Sequence, residues 1–414
     1  MIAFDRFVLA NGLKVLVNTD MSTPLVSMVV LYDVGSKDED EEHTGFAHLF
    51  EHLMFGGSLH IANFDEALQL AGGSNNAYTT CDLTCYYCTL PAVNIETAFW
   101  LESDRMLSLA FTPKSLEVQR SVVIEEFKEH YLNAPYGDIY HLVQALNYKQ
   151  HPYRWPTIGR NVEQIERATM EDVRAFFAAH YYPANAILVL SGGITTEQVR
   201  TLCDKWFAPI PSPAKSPRLL PEEPRRTEYV REEVERDVPT SLLYMSFQMP
   251  GRRHKDYVLY DMLTDILSLG RGGRFNAELV RKQGLFSSID ASVDGTIETG
   301  LVVITGMLME GVSLQEAEEA VWKELARLAN ISAEELLRVQ NLFETDTLYQ
   351  EIRTARRAEL LAEYELYGDA SAVNSRVQER AKVTTQMLEE CANATFTREN
   401  CRTLYYRAKQ EGRA

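Results

Sequence analysis

The sequence predicts an α+β fold built from two similar domains, each a mixed or antiparallel β-sheet flanked by helices in a sandwich. Three observations predict it. Strand-like alternating runs and helix-period segments follow one another in both halves of the 414 residues. A proline-rich stretch, Ala208 to Pro224, separates those halves and is too rich in proline for a helix or a central strand. The second half then repeats the plan of the first. A chain of this length with 45% hydrophobic residues is ample for two domains of roughly 200 residues each. The expected division is a first domain at 1–208, a linker at 209–225 and a homologous second domain at 226–414.

Taken in order, Phe7 to Leu9 and Leu13 to Val17 flank the Asn11-Gly12 turn as a hairpin, and Leu25 to Tyr32 reads as a longer strand. An acidic loop, Lys37 to Glu42, leads into a short apolar helix around His48 to His52. Phe64 to Ala71 is a helix ended by Gly72-Gly73, and Asn75 to Leu90 alternates as β-structure. Helices follow near Ile95 to Leu109, Ser115 to Tyr131, Ile139 to Leu146, Met170 to His180 and Thr196 to Phe207, with a strand at Ala186 to Leu190. Beyond the linker the reading gives strands at Glu228 to Val234 and Ser241 to Gln248, then helices at Tyr257 to Leu269 and Phe275 to Lys282. A hairpin at Phe286 to Val293 and Thr299 to Met307 precedes long helices at Ser313 to Asn330 and Ala333 to Tyr364. A last strand falls at Arg402 to Tyr406.

Composition narrows the function classes. The formal net charge of −18 disfavours nucleic acid and anionic membrane surfaces as partners. No apolar run approaches 18–20 residues, so no membrane span is expected. The N-terminus lacks a basic segment followed by a long apolar one, which points to a cytoplasmic protein, or a periplasmic one if a leader has been trimmed. Cys81, Cys85 and Cys88 lie in a β-rich run, with the first two on one face and the third on the other. They read as buried free thiols rather than a metal cluster, in keeping with a reducing compartment.

The chemistry concentrates in His48-Leu49-Phe50-Glu51-His52. Residues four apart on a helix lie one turn above each other, so His48 and His52 can aim both imidazoles at one point. Glu51 lies close enough to the same face to reach a water on a shared metal without ligating it. This is the H-x-x-E-H order of the inverzincins. Leu49, Phe50, Leu53, Met54 and Phe55 make the helix apolar, and polar groups carried inward on such a helix need a partner. A zinc site needs a third protein ligand. The helix from Leu116 to His130 offers Glu117, Glu125, Glu126, Glu129 and His130. Val122, Val123 and Phe127 mark its expected buried stripe; Glu126 can turn inward beside it, Glu125 reads as a surface residue, and periodicity leaves Glu129 and His130 open.

These motifs resemble the pitrilysin, insulysin and mitochondrial processing peptidase family of zinc metallopeptidases in its short, bacterial-looking form. The resemblance runs through Val34-Gly35-Ser36-Lys37-Asp38-Glu39, Thr44 to Phe55, Gly72-Gly73-Ser74-Asn75-Asn76-Ala77-Tyr78-Thr79, Arg120 to Glu126, His151-Pro152-Tyr153 with Pro156 to Gly159, and Tyr181 to Ala186. It implies two sandwich domains of the mitochondrial-processing-peptidase-like metallohydrolase type, Zn2+ as cofactor, and Glu126 as the distal ligand beside His48 and His52. It also implies Glu51 as the general base, and an edge strand around Asn76, Ala77 and Tyr78 on which a peptide adds as an extra strand. The family's first glutamate on the ligand helix is Gln119 here, which weakens an expected supporting contact.

The second half departs from the family pattern. The Arg and Tyr that family members carry after a glycine-rich turn, here Ser268 to Gly273, correspond to Val280 and Ser287. Arg281 is one residue off, about 100° around the helix, and Arg253 with Tyr260 stands in the wrong place. An intact zinc half without that pair looks like the catalytic subunit of a heterodimer whose homologous, zinc-free sister supplies it, with a homodimer as the variant. The implied activity is endopeptidase cleavage of short or unfolded peptides in a clamshell chamber. The competing classes are a non-catalytic structural subunit and a zinc hydrolase acting on other substrates.

Overall fold

Two sheets organise the chain, each built on continuous apolar strands, in a computed structural model that describes residues 1–215 and 217–409. In chain order the strands of the first sheet are β1 (Asp5–Val8), β2 (Lys14–Thr19), β3 (Leu25–Tyr32), β4 (Ser74–Thr79), β5 (Thr84–Pro91) and β6 (Ala186–Gly192). Those of the second are β7 (Val230–Arg236), β8 (Leu242–Pro250), β9 (Phe286–Asp294), β10 (Thr299–Leu308) and β11 (Cys401–Ala408). The helices in the first half are α1 (Phe46–Leu53), α2 (Phe64–Leu70), α3 (Ile95–Leu107), α4 (Pro113–Phe127), α5 (Ile139–Asn147), α6 (Val162–Glu166), α7 (Met170–His180) and α8 (Thr196–Trp206). The second half adds α9 (Tyr257–Ser268), α10 (Leu314–Ala326), α11 (Ala333–Ile352), α12 (Thr354–Tyr367), α13 (Arg376–Ala381) and α14 (Thr385–Thr395).

The sheet orders are β1-β2-β6-β3-β5-β4 and β7-β11-β8-β10-β9. Both are mixed: β2 runs parallel to β6 and β7 parallel to β11, while the other pairs are antiparallel. Dropping β1 makes the orders identical, strand for strand, so the chain carries the same sheet twice. Strands such as β3 and β6 are buried on both faces, which is why they read as unbroken apolar runs. Helix starts follow local capping. Thr112 accepts from the Ser115 N–H at the start of α4, with Pro113 in the first turn, and Thr169 forms a capping box with Asp172 at α7.

The chain forms two units, but they interleave. The first comprises Met1–Leu132, His151–Pro221 and Leu348–Asn374; the second comprises Asn133–Gln150, Glu222–Thr347 and Ser375–Ala414. The contiguous division at the linker therefore misplaces two helices. α5 lies in the second unit, where Val143 and Leu146 join Leu242, Tyr244, Leu404 and Tyr406 in an apolar cluster. α12 lies in the first, with Ala358, Leu361 and Ala362 buried against β3 and β6. The linker itself divides in the same way. Arg218 and Lys215 bind Asp33 at 2.9 and 2.5 Å, whereas Glu223 accepts the N–H groups of Lys149 and Gln150.

Three further expectations change. The helix foreseen from Ala333 to Tyr364 is broken at Arg353, which is extended at φ −87°, ψ 125°. Burial of the α12 apolar face in the first unit outweighs the helix propensity of that uninterrupted sequence. The segment Phe275–Lys282 is a π-type helix. Cys81 sits in the β4–β5 turn rather than a strand and is half-buried, whereas Cys85 and Cys88 are buried; all six cysteines stand outside disulfides. No helix among the described residues is long and apolar enough to cross a membrane.

The deepest ionic contact in the first unit joins Glu102 and Arg105, whose side chains are 2% and 1% exposed, at 2.6 and 2.8 Å. The guanidinium also lies 4.3 Å from the Tyr86 ring and 4.4 Å from that of Phe64. Arg105→Ala strands a buried carboxylate and is expected to cost about 3–5 kcal/mol in urea unfolding, whereas Glu102→Leu with Arg105→Met stays near neutral. Burial raises the Asp33 carboxyl, but Arg218 and Lys215 outweigh it and hold the group down at about 2. A lowered carboxyl stabilises the fold above its unfolded value near 3.9, and that contribution fades as pH falls toward 2. Asp33→Asn is therefore expected to destabilise at pH 6, with a deficit that narrows by pH 3 in the same unfolding assay.

Candidate metal centre

The histidine pair is set by how α1 begins. Gly45, its N-cap, has φ +89°, and a Cβ there would come within 2.7 Å of the Ile158 carbonyl oxygen, so only glycine fits. With no side chain on Gly45 to cap the helix, Glu39 performs that task from six residues upstream. Its buried carboxylate accepts the Gly45 N–H at 3.0 Å and the Ala47 N–H at 2.8 Å. Burial pushes the Glu39 carboxyl up, and those two bonds and the adjacent Trp155 work against it. The preceding loop is fixed in turn. Ser36 N–H donates to Thr80 O, Lys37 N–H to Cys81 O, and the Trp155 indole N–H to Ser36 O. The Lys37 ammonium, fully buried, meets Asp82 at 2.5 Å, and Asp82 also accepts from the Tyr153 hydroxyl at 2.6 Å.

On α1, Phe46, Ala47, Leu49, Phe50 and Leu53 face the core, which leaves His48, Glu51 and His52 on the open side. The two imidazoles stand edge to face, with centroids 4.9 Å apart. Across from them, α4 buries Leu116, Val123 and Phe127 and presents Glu126. Val122, expected in the buried stripe, is 45% exposed instead. Adjacent valines lie about 100° apart on a helix, and only Val123 shares the core-facing line with Leu116 and Phe127. Glu125 pairs with Lys128 at the surface, as its position suggested, and Glu129 and His130, which periodicity left open, are both exposed. Past Phe127 the helix widens into a π-type turn over Lys128–Leu132.

Glu126 Oε2 lies 3.4 Å from His52 Nε2 and 3.8 Å from His48 Nε2, and one donor atom from each of the three lies within 4.8 Å of the others. Zinc bonds of about 2.0–2.2 Å to nitrogen and oxygen require tetrahedral donor separations of about 3.3–3.5 Å; the His52–Glu126 separation matches, the His48–Glu126 one is a few tenths of an ångström wider, and the donor types are those zinc takes. Burial lowers His48 to about 4 against the pull of Glu126, which keeps its imidazole neutral at pH 7, as a metal donor must be. The His48 Nδ1 atom is buried without a hydrogen-bond partner. The hydrogen bond with His52 lowers the Glu126 carboxyl, with burial opposing.

Glu51 sits beside this cluster and accepts a hydrogen bond from the Thr79 hydroxyl at 2.6 Å. Burial raises its carboxyl, and the Thr79 bond opposes that. The expected substrate strand is β4, the outer edge of the six-stranded sheet. Asn76, Ala77 and Tyr78 all lie on it, with the Ala77 N–H donating to Asn76 Oδ1 at 2.8 Å and the Tyr78 ring 6.4 Å from that of Tyr87. Gln119 is half-buried one heptad before Glu126, with its Nε2 beside Gly56 just past α1. In the second unit, Val280 packs against the apolar core and the Ser287 hydroxyl donates to Met307 O. Periodicity had no means of finding Thr79 or the capping role of Glu39, because each acts on a residue distant from it or reached through a turn.

The sheet-and-helix plan occurs twice in the chain, and the cluster lies on its first copy. The chain belongs to the insulinase family, peptidase family M16: residues 14–157 match the model "Insulinase (Peptidase family M16)" and residues 167–343 match "Peptidase M16 inactive domain". It is 30% identical over 296 residues to the zinc protease PqqE of Helicobacter pylori, a match covering 68% of this chain and 65% of that protein. The crystal structure of a protease from Helicobacter pylori superposes with TM-score 0.93 at 25% identity, covering 98% of this chain and 99% of the other. The periplasmic protease PqqL from Escherichia coli shares the fold at TM-score 0.81 and 18% identity, with 98% of this chain covering 48% of that one.

If the capping of α1 by Glu39 is as described, Glu39→Ala is expected to speed amide exchange across residues 45–53 by about 10–100-fold, the equivalent of about 1–3 kcal/mol, while exchange in α7 stays unchanged.

Proposed function

We propose that this chain is the catalytic subunit of a zinc-dependent endopeptidase of the inverzincin type, acting on short or unfolded peptides. The observation that carries the reading is the convergence of His48, His52 and Glu126 from two helices, with Glu51 beside them and bonded to Thr79, the last residue of the outer strand β4. His48, His52 and Glu126 would hold a zinc ion, which would supply Lewis acidity toward a peptide carbonyl and lower the pKa of a water. Glu51 accepts the proton of the attacking water and passes it to the amine nitrogen as the C–N bond breaks. A carboxyl raised by burial suits both halves of that transfer. The free edge of β4 around Asn76, Ala77 and Tyr78 receives the peptide as an added strand, which sets the scissile bond by backbone register rather than by side-chain identity.

The same reading assigns a partner. Val280 and Ser287 stand where the resemblance expects Arg and Tyr, and both serve local packing and bonding. The family model over residues 167–343 is described as an inactive domain. These facts favour a heterodimer in which a homologous chain without zinc supplies the missing groups.

The test is peptide hydrolysis by the zinc-loaded chain, alone and mixed with a homologous zinc-free chain from the same source. Activity is expected in the mixture, with Glu51→Gln reducing kcat by at least 10³-fold while retaining zinc, and with loss on chelation and recovery on zinc addition. Glu126→Ala is expected to lower bound zinc well below one per chain. Hydrolysis by the chain alone would remove the need for a partner, and inactivity in every combination would favour a structural subunit.

A further inference from the structure

Glu51 carries the proton, yet nothing in the metal cluster holds its carboxylate still. Its hydrogen bond comes from Thr79, at 2.6 Å from the hydroxyl to Oε2. That distance is ordinary for the strong, charge-assisted bond of a hydroxyl to a carboxylate, and it occupies one oxygen while leaving the other for a proton in transit. A glutamate in a half-buried site otherwise samples several rotamers, and a base displaced by about 1 Å can lose about 10²-fold in rate.

Thr79 is itself anchored more firmly than an edge-strand residue needs to be. It ends β4 opposite Thr84. The next residue, Thr80, accepts through its hydroxyl from the Asp82 and Leu83 N–H groups, both at 3.1 Å. Thr80 O and Cys81 O accept from the Ser36 and Lys37 N–H groups at 3.2 and 3.0 Å, and the buried Lys37–Asp82 contact closes the turn. Three residues beyond Ser36 is Glu39, which caps α1. The β4–β5 turn therefore holds α1 at two places: at its start through the 36–39 loop, and in its middle through Thr79 and Glu51.

The same strand faces the substrate edge. Because the Ala77 N–H donates to Asn76 Oδ1, it is not spent on β5, and alternation puts Asn75, Ala77 and Thr79 on the unpaired side of β4. A peptide pairing with Ala77 lies in register with Thr79.

We propose that Thr79 is the positioning residue for Glu51, fixing the base in register with the strand that receives the peptide. This rests on the peptidase reading for its kinetic consequence and on geometry alone for its structural one. Thr79→Val keeps the β-branched shape without the hydroxyl, Thr79→Ala removes the hydroxyl without a new methyl, and Thr79→Ser restores it. With the active form of the enzyme, Val and Ala are expected to lower kcat by about 10–100-fold with KM within twofold and zinc stoichiometry unchanged. Ser is expected to recover kcat to within about threefold. In crystals of Thr79→Val the Glu51 carboxylate should be rotated away from its parent position. Full kcat in both Val and Ala, or a Ser variant no better than Val, overturns the proposal. If the parent cleaves no peptide, the function reading fails separately, and the crystals decide: a Glu51 carboxylate unmoved in Thr79→Val overturns the positioning role.

Discussion

The buried carboxylate of Glu39 is the contact on which the candidate centre depends. α1 is eight residues long, too short to hold itself together by propensity, and it begins at a glycine that has no side chain with which to cap it. Glu39 replaces that cap, its two carboxyl oxygens accepting the Gly45 and Ala47 N–H groups at the start of the helix. Its cost is desolvation, visible in the raised carboxyl. The loop that carries Glu39 is held by backbone bonds to the β4–β5 turn and by the buried Lys37–Asp82–Tyr153 group. The V-G-S-K-D-E run is thus a polar scaffold behind an apolar helix, and each of its charged side chains has a partner: Lys37 with Asp82, Asp38 with Arg218, and Glu39 with two helix N–H groups.

This scaffold also explains why the cluster can be both partly buried and polar. His48, His52 and Glu126 have side chains 14%, 24% and 34% exposed, while their neighbours on α1 and α4 face the core. Burial keeps His48 neutral, and the Glu126 carboxylate beside both rings is stabilised as an anion. A neutral imidazole and an ionised carboxylate are the protonation states that the proposed metal centre requires. In the second unit the same sheet recurs, but the helix after its second central strand carries no such residues; Met262, Leu263, Ile266 and Leu267 of α9 are buried. The duplicated fold has kept its core in both copies and carries the His48–His52–Glu126 cluster in the first.

Much of this was legible in the sequence. The i, i+4 histidines and the apolar residues between them define α1, and strands β3 and β6 announce themselves as unbroken apolar runs. Glu126 was one of several acids by periodicity, and only the family pattern singled it out. What was not legible shares one physical cause: it depends on contacts distant along the chain. The break at Arg353 has no glycine or proline to mark it, and α12 moves because its apolar face finds β3 and β6. α5 likewise leaves the half it was read into, drawn by the cluster around Tyr244 and Tyr406. Val122 was misread because two neighbouring valines cannot both face one core. The linker looked like a spacer, whereas Arg218 and Lys215 fasten its first part to Asp33.

The most direct test of the central claim is zinc-edge X-ray absorption on the zinc-loaded chain. The account predicts one zinc per chain with two imidazole nitrogens and one or two oxygens at about 2.0–2.2 Å and no sulfur. A spectrum requiring thiolate ligands, or a chain that binds no zinc at micromolar concentration, would contradict it.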